Sequence, residues 1–101
     1  MGNESPQDRG AYAISVAAEL LGIGQQNLRL YERRGLVQPE RTVGGTRRYS
    51  ETDLMVLARI TELLSAGLNL AGIRLVLDLE TENMQLKAAL ASKRPVQVPE
   101  D

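Results

Sequence analysis

Residues 24–49 read GQQNLRLYERRGLVQPERTVGGTRRY. Arg29, Arg33, Arg34, Arg41, Arg47 and Arg48 supply six of the chain's 12 basic groups, and within the stretch only Glu32 and Glu40 oppose them. The stretch therefore carries a net +4 inside a 101-residue chain whose formal charge is −1. A basic segment set in an otherwise acidic small domain is the electrostatic footprint of a surface that neutralises phosphates. Two elements are legible within it. Gly24 can cap a helix over QQNLRLYERR that Gly35 terminates, and Pro39 stops any helix from running on. Gly44-Gly45 then separates two short β-compatible arms, Glu40-Arg41-Thr42 and Arg47-Arg48-Tyr49, in the pattern of a hairpin with a glycine turn.

Working outward, the segment ISVAAELLGI just upstream places Ile14, Ala17, Ala18 and Leu21 on one helical face, and Gly22 is its expected stop. Only Ile23 and Gly24 separate it from the next helix, so the pair reads as a helix-turn-helix. Arms as short as those of the hairpin are not stable alone and must pack on the helices. The expected unit is a winged helix-turn-helix with a short two-stranded wing. Downstream, Ser50-Glu51-Thr52-Asp53 fits a capping box and starts a third helix, with Leu54, Leu57, Ala58, Ile60 and Leu64 as its apolar side. Asn69 can cap a fourth helix, which meets no breaker before Pro95. Along it Ile73, Val76, Leu79, Asn83, Leu86 and Leu90 recur at spacings of three and four, a heptad-like stripe. The expected organisation is mainly α: a disordered segment 1–11, a DNA-binding domain 12–68, a C-terminal dimerisation helix 69–91 and a disordered tail 92–101.

The candidate chemistry is recognition rather than catalysis. Gln26, Arg29 and Arg33 form a polar stripe on the second helix, with Gln25 and Asn27 beside them at its start, while Leu28 faces the first helix. A recognition helix offers its N-terminal residues to the major groove. There Gln bonds bidentately to adenine, and Arg to guanine or to phosphate. In the wing, Arg41, Arg47 and Arg48 can bridge phosphate oxygens, and the Tyr49 hydroxyl can add a hydrogen bond. The alternatives are a solvated helix face, and an exposed charged hairpin with Tyr49 plugging the core.

Composition excludes much else. The chain has no Cys, no His, no Phe and no Trp. It therefore offers no disulfide framework and none of the usual ligands for zinc, copper or iron. No Ser stands beside a base partner, and Gly44-Gly45 precedes no helix, so no catalytic site and no cofactor are expected. Apolar runs fall far short of the ~20 residues that span a bilayer, and MGNESPQDRG lacks signal-peptide character. No membrane partner and a cytoplasmic location are the expectations.

These residues together resemble a family. ISVAAELLGI, NLRLY in the second helix, GTRRYS at the end of the wing and ETDLMVLARITELLSAGLNLAGI after it are similar to the MerR family of transcription regulators over residues 12–80. Within it they look like the HspR-like branch of heat-shock repressors. The resemblance implies an antiparallel coiled-coil homodimer on double-stranded DNA bearing an inverted repeat. It adds Tyr31 to the candidate DNA contacts, and gives Leu79, Asn83, Leu86 and Leu90 as the dimer seam. It further implies the DnaK chaperone as co-repressor, and a bacterial, nucleoid-associated protein. Two departures stand out: Gly24 occupies the helix cap where the family usually has Ser or Thr, and Leu30 replaces the first Tyr of the family's box. The rival readings are an activator that distorts promoter DNA and a helical protein-interaction adaptor.

Overall fold

The computed structural model describes residues 8–93. In order, the elements are β1 (Tyr12–Ala13), α1 (Ile14–Leu21), α2 (Gln25–Arg33), β2 (Glu40–Arg41), β3 (Arg47–Tyr49), α3 (Glu51–Ser65) and α4 (Leu70–Lys93). The chain divides into two units, Met1–Leu68 and Asn69–Asp101.

In the first unit α1 packs against α2 and α3 and also meets β1 and β3. Ala17 and Ala18 are the buried residues of α1, and such small side chains let neighbouring helices approach closely. The α1–α2 turn is tight because Gly22 takes a left-handed φ of 66°, which L side chains rarely adopt. Its amide bonds back to Glu19 O, and Ile23 N to Ala18 O. The core is built from Leu28 and Tyr31 of α2, Leu36 and Val37 of the following loop, Tyr49 of β3, and Leu57, Ile60 and Leu63 of α3.

The apolar side of α3 differs from the sequence expectation. Leu57, Ile60 and Leu63 are buried, whereas Ala58 and Leu64 are exposed. Positions 57, 60 and 63 advance by three and stay on one face; Ala58 lies about 100° round the helix from Leu57. The helix begins where the capping box predicts. Ser50 Oγ accepts from Asp53 N at 2.9 Å, and Asp53 Oδ2 accepts from Ser50 N at 2.9 Å.

The wing is larger than a two-stranded hairpin. β2 and β3 pair antiparallel, with Glu40 opposite Arg48 and Arg41 opposite Arg47. β1 joins the other edge of β3, with Tyr12 opposite Tyr49, giving a three-stranded sheet in the order β1-β3-β2. A two-residue strand has too little pattern to be read from sequence. Ahead of it, the amides of Gly10 and Ala11 bond to Glu40 Oε1 and Tyr49 O, and Thr52 Oγ1 donates to Asp8 Oδ1 at 2.8 Å. Residues 8–11 are thus tied to the sheet and to α3, although their composition suggests disorder. Residues 1–7 of the expected disordered segment lie outside the described residues, as do 94–101 of the expected tail.

The second unit is one helix. Asn69 caps it, its Oδ1 accepting from Gly72 N at 2.8 Å. It continues to Lys93, past the expected end at residue 91. No helix is long and apolar enough to cross a membrane, among the described residues.

Candidate nucleic-acid interface

The recognition surface starts from how α2 sits. Leu28 and Tyr31 point into the core, so the opposite side of the helix faces outward. Gln25, Gln26, Asn27 and Arg33 are exposed and Arg29 is half-buried. Gly24 supplies no side-chain cap, and only its carbonyl serves the first turn, accepting from Asn27 N at 3.0 Å and Leu28 N at 3.2 Å. Among the described residues the side chains of Arg29, Arg33 and Arg48 take part in no hydrogen bond or ion pair, so their guanidinium groups are available to a ligand.

The wing is held against this helix by one acid. Glu32 Oε2 accepts from Arg41 Nη2 at 2.9 Å, and Glu32 Oε1 accepts from Arg47 Nε. Burial alone would raise the Glu32 carboxyl, but the hydrogen bonds from Arg47 and Arg41, and then their charges, outweigh it and hold the group below its ordinary value. Arg41 has a second attachment, Nη1 to Gly45 O at 3.0 Å. It therefore staples the turn of the wing to the helix. The turn itself is closed by Thr42 N to Thr46 O and Gly45 N to Thr42 O, both 2.8 Å. Arg47 commits only its Nε, and its two terminal amino groups have no partner among the described residues. By strand alternation Arg48 projects to the other face of the sheet from Arg47.

Two of the candidate contacts belong to the core instead. Tyr49 is 0% exposed and Tyr31 5%. Tyr49 cannot present its hydroxyl to a phosphate from there, and that hydroxyl finds no hydrogen-bond partner among the described residues. Burial raises the pKa of both phenols; for Tyr49 the nearby charges of Glu32 and Asp53 add to it. For Tyr49 the physical reason is position: β3 packs against α1 and α3, and Tyr49, the last residue of the strand before α3, is enclosed there.

The structure therefore brings Gln25, Gln26, Asn27, Arg29 and Arg33 of α2 into one unit with Arg41, Arg47 and Arg48 of the wing, and withdraws Tyr31 and Tyr49. Glu32 is the functional residue that sequence reasoning misses. Its only sequence signal is an acid between Arg29 and Arg33, and its partners stand nine and 15 residues away. On α4, Leu79, Leu86 and Leu90 are 61%, 64% and 65% exposed, and Asn83 is exposed with them. Val76, Leu79, Glu80, Asn83, Met84 and Lys87 line a shallow groove along that helix.

A recognition helix with a free polar face, braced by a basic wing, defines a winged helix-turn-helix protein. The model of MerR helix-turn-helix family regulatory proteins matches residues 12–80, and the chain belongs to that family. Over 89 residues it is 45% identical to a heat shock protein HspR of Streptomyces coelicolor, covering 87% of this chain and 59% of that protein. It is 37% identical over 79 residues to the transcriptional regulator GlnR of Bacillus anthracis, covering 75% of this chain and 61% of that protein. The chain thus spans about three fifths of the length of these curated relatives. Among solved structures it is similar to HiNmlR, a MerR family regulator lacking the sensor domain, bound to promoter DNA. There the TM-score is 0.59 at 25% identity, covering 81% of this chain and 76% of that one.

Proposed function

We propose that this chain is a sequence-specific DNA-binding repressor that reads an inverted repeat as a homodimer and controls stress or chaperone genes. The observation that carries it is the outward face of α2, where Gln25, Gln26 and Asn27 stand exposed at the helix start in one unit with the unpaired guanidiniums of Arg29, Arg33 and Arg48. Those are the positions from which a helix reads base edges. The similarity to a regulator bound to promoter DNA supports the same use of this face, and the 45% identity to HspR supports the heat-shock branch. An inverted repeat needs two-fold symmetry, and the exposed apolar stripe of α4 through Leu79, Asn83, Leu86 and Leu90 supplies a seam for it. The resemblance to heat-shock repressors supports the DnaK chaperone as co-repressor, and a DNA-binding role supports a location on the nucleoid in the cytoplasm.

The test is selection of a duplex from a random library, followed by titration at several salt concentrations. A duplex with two-fold symmetry should emerge. Gln26→Ala should then change the preference between sites by roughly 1–3 kcal/mol per good base contact. Arg48→Ala should weaken binding to every sequence alike and lower the salt slope by about one. If no duplex is enriched, or if both variants behave alike on scrambled DNA, the proposal fails. Purified DnaK should tighten binding to the selected duplex; no change in affinity would remove the chaperone from the scheme.

A further inference from the structure

Glu32 is an acid on the face of a helix proposed to meet a polyanion. By simple electrostatics it should weaken DNA binding, and its removal should help. The geometry points to the opposite role. We propose that Glu32 is a positioning residue that fixes the wing to the recognition helix and aims Arg47 at a DNA phosphate, so that helix and wing engage the duplex as one rigid body.

The inference rests on the DNA-binding function proposed above and on three observations. First, one carboxylate takes both wing strands: its two oxygens receive Arg41 of β2 and Arg47 of β3 separately. No other hydrogen bond between side chains joins α2 to the wing among the described residues. Second, the two arginines are used differently. Arg41 donates one terminal nitrogen to Glu32 and the other to Gly45 O, so its planar fork ties the helix to the tip of the hairpin. Arg47 engages Glu32 through Nε, and a guanidinium held at Nε keeps both terminal amino groups for a bidentate phosphate contact. Third, the carboxylate is shielded: the side chains of Glu32 and Arg47 are 20% and 23% exposed. Interactions between partly buried charges are screened by salt less than those between exposed ones. The clamp is therefore already formed before DNA arrives, and the ordering of a long wing side chain need not be met on binding.

Replacing Glu32 by glutamine tests this with opposite signs. The variant gains one unit of positive charge, keeps the side chain's shape and loses the ionic clamp. Its folding is verified first by circular dichroism. Binding is then measured by fluorescence anisotropy on a duplex selected from a random library with the unmodified chain, and on a scrambled duplex of equal composition. With Glu32 as a positioning residue, E32Q should lose about tenfold in affinity for the selected duplex, equivalent to about 1.4 kcal/mol. The ratio of selected to scrambled affinity should fall, and the salt slope should become shallower by about one as the Arg47 phosphate contact is lost. Because Arg41 reaches α2 only through Glu32, the double variant E32Q/R41M should bind about as well as E32Q alone rather than showing summed losses. A second readout needs no DNA: in the free protein the amides of Gly44 and Gly45 should gain nanosecond mobility in E32Q, while those of Leu28 to Tyr31 stay rigid. Tighter binding of E32Q to both duplexes, or unchanged binding, or a wing as rigid as in the unmodified chain, would each overturn the proposal. Failure to enrich any duplex would overturn the DNA-binding function and this proposal with it, whereas a failure confined to E32Q would overturn this proposal alone.

Discussion

Tyr49→Phe should stabilise this protein. Tyr49 has no exposed surface, and its hydroxyl has no hydrogen-bond partner among the described residues. A buried hydroxyl without a partner costs about 1–3 kcal/mol, the desolvation that no bond repays. Phenylalanine keeps the ring and its packing and removes the oxygen, giving up only a few dispersion contacts of ~0.1–0.2 kcal/mol each. The expected net gain is about 1 kcal/mol. In a domain of this size that raises the Tm by roughly 4–8 °C. The assay is thermal unfolding by far-UV circular dichroism at fixed protein concentration, since self-association would otherwise shift the midpoint. High pH gives a second measure. Burial, and then the charges of Glu32 and Asp53, raise the Tyr49 phenol above its ordinary value of ~10. A pKa raised in the folded state means that the neutral phenol's contribution is fully present below pH ~10 and is lost as pH climbs through the folded value. Tyr49→Phe should therefore flatten part of the alkaline limb of the stability curve. DNA affinity should not change. A lower Tm for the variant would mean that the hydroxyl has a partner, such as a bridging water, and would refute the reasoning. A drop in DNA affinity with an unchanged Tm would return Tyr49 to the interface.

Three further outcomes are expected. The Glu32 carboxyl is held below its ordinary value, so the clamp's contribution to stability is present above that value and is lost as pH falls through the folded one; urea unfolding at a series of acid pH values should show this loss, and Glu32→Gln should remove it. A Cβ on Gly10 would lie 2.7 Å from Arg48 O and 2.8 Å from Arg48 Cβ, so Gly10→Ala should force β1 away from β3 and cost about 1–3 kcal/mol in urea unfolding; a cost near zero would mean that β1 contributes nothing. Leu86→Glu with Leu90→Glu should give a folded monomer by sedimentation, with affinity for the selected duplex reduced far more than affinity for scrambled DNA; a double variant that stays dimeric would place the seam elsewhere.

Elements with strong local signals are legible in the sequence, and those made by distant pairing are not. Gly22 and Gly35 mark helix ends because a left-handed residue there is a local requirement. Ser50 and Asp53 mark the start of α3 because a capping box closes within four residues. The hairpin arms either side of Gly44-Gly45 carry their own turn signal. β1 carries none: Tyr12 and Ala13 become a strand only because β3 offers a free edge 35 or more positions later in the chain. The close approach of Gly10 to Arg48 is equally non-local. On α3 the string of Leu, Ile and Ala offers several overlapping faces, and packing in the folded unit selects Leu57, Ile60 and Leu63 among them.

The same distinction governs the site. Counting charge along the chain finds the basic stretch, but it treats Glu32 as a subtraction and the wing arginines as equivalents. In three dimensions the subtraction becomes the organising contact. An Arg whose terminal nitrogens are both committed, as in Arg41, is a poor phosphate ligand and a good staple. One anchored at Nε, as in Arg47, is oriented for a second, bidentate partner. Substituting Arg41 or Arg47 should therefore weaken DNA binding by different routes. Arg47→Ala should lower the salt slope by about one, the mark of a lost phosphate contact. Arg41→Ala should instead loosen the tip of the wing in the free protein, visible in the relaxation of the Gly44 and Gly45 amides, and should reduce discrimination between the selected and scrambled duplexes. If the two variants gave the same slope and the same wing dynamics, the two arginines would share one role, and the division drawn from their hydrogen bonds would be wrong.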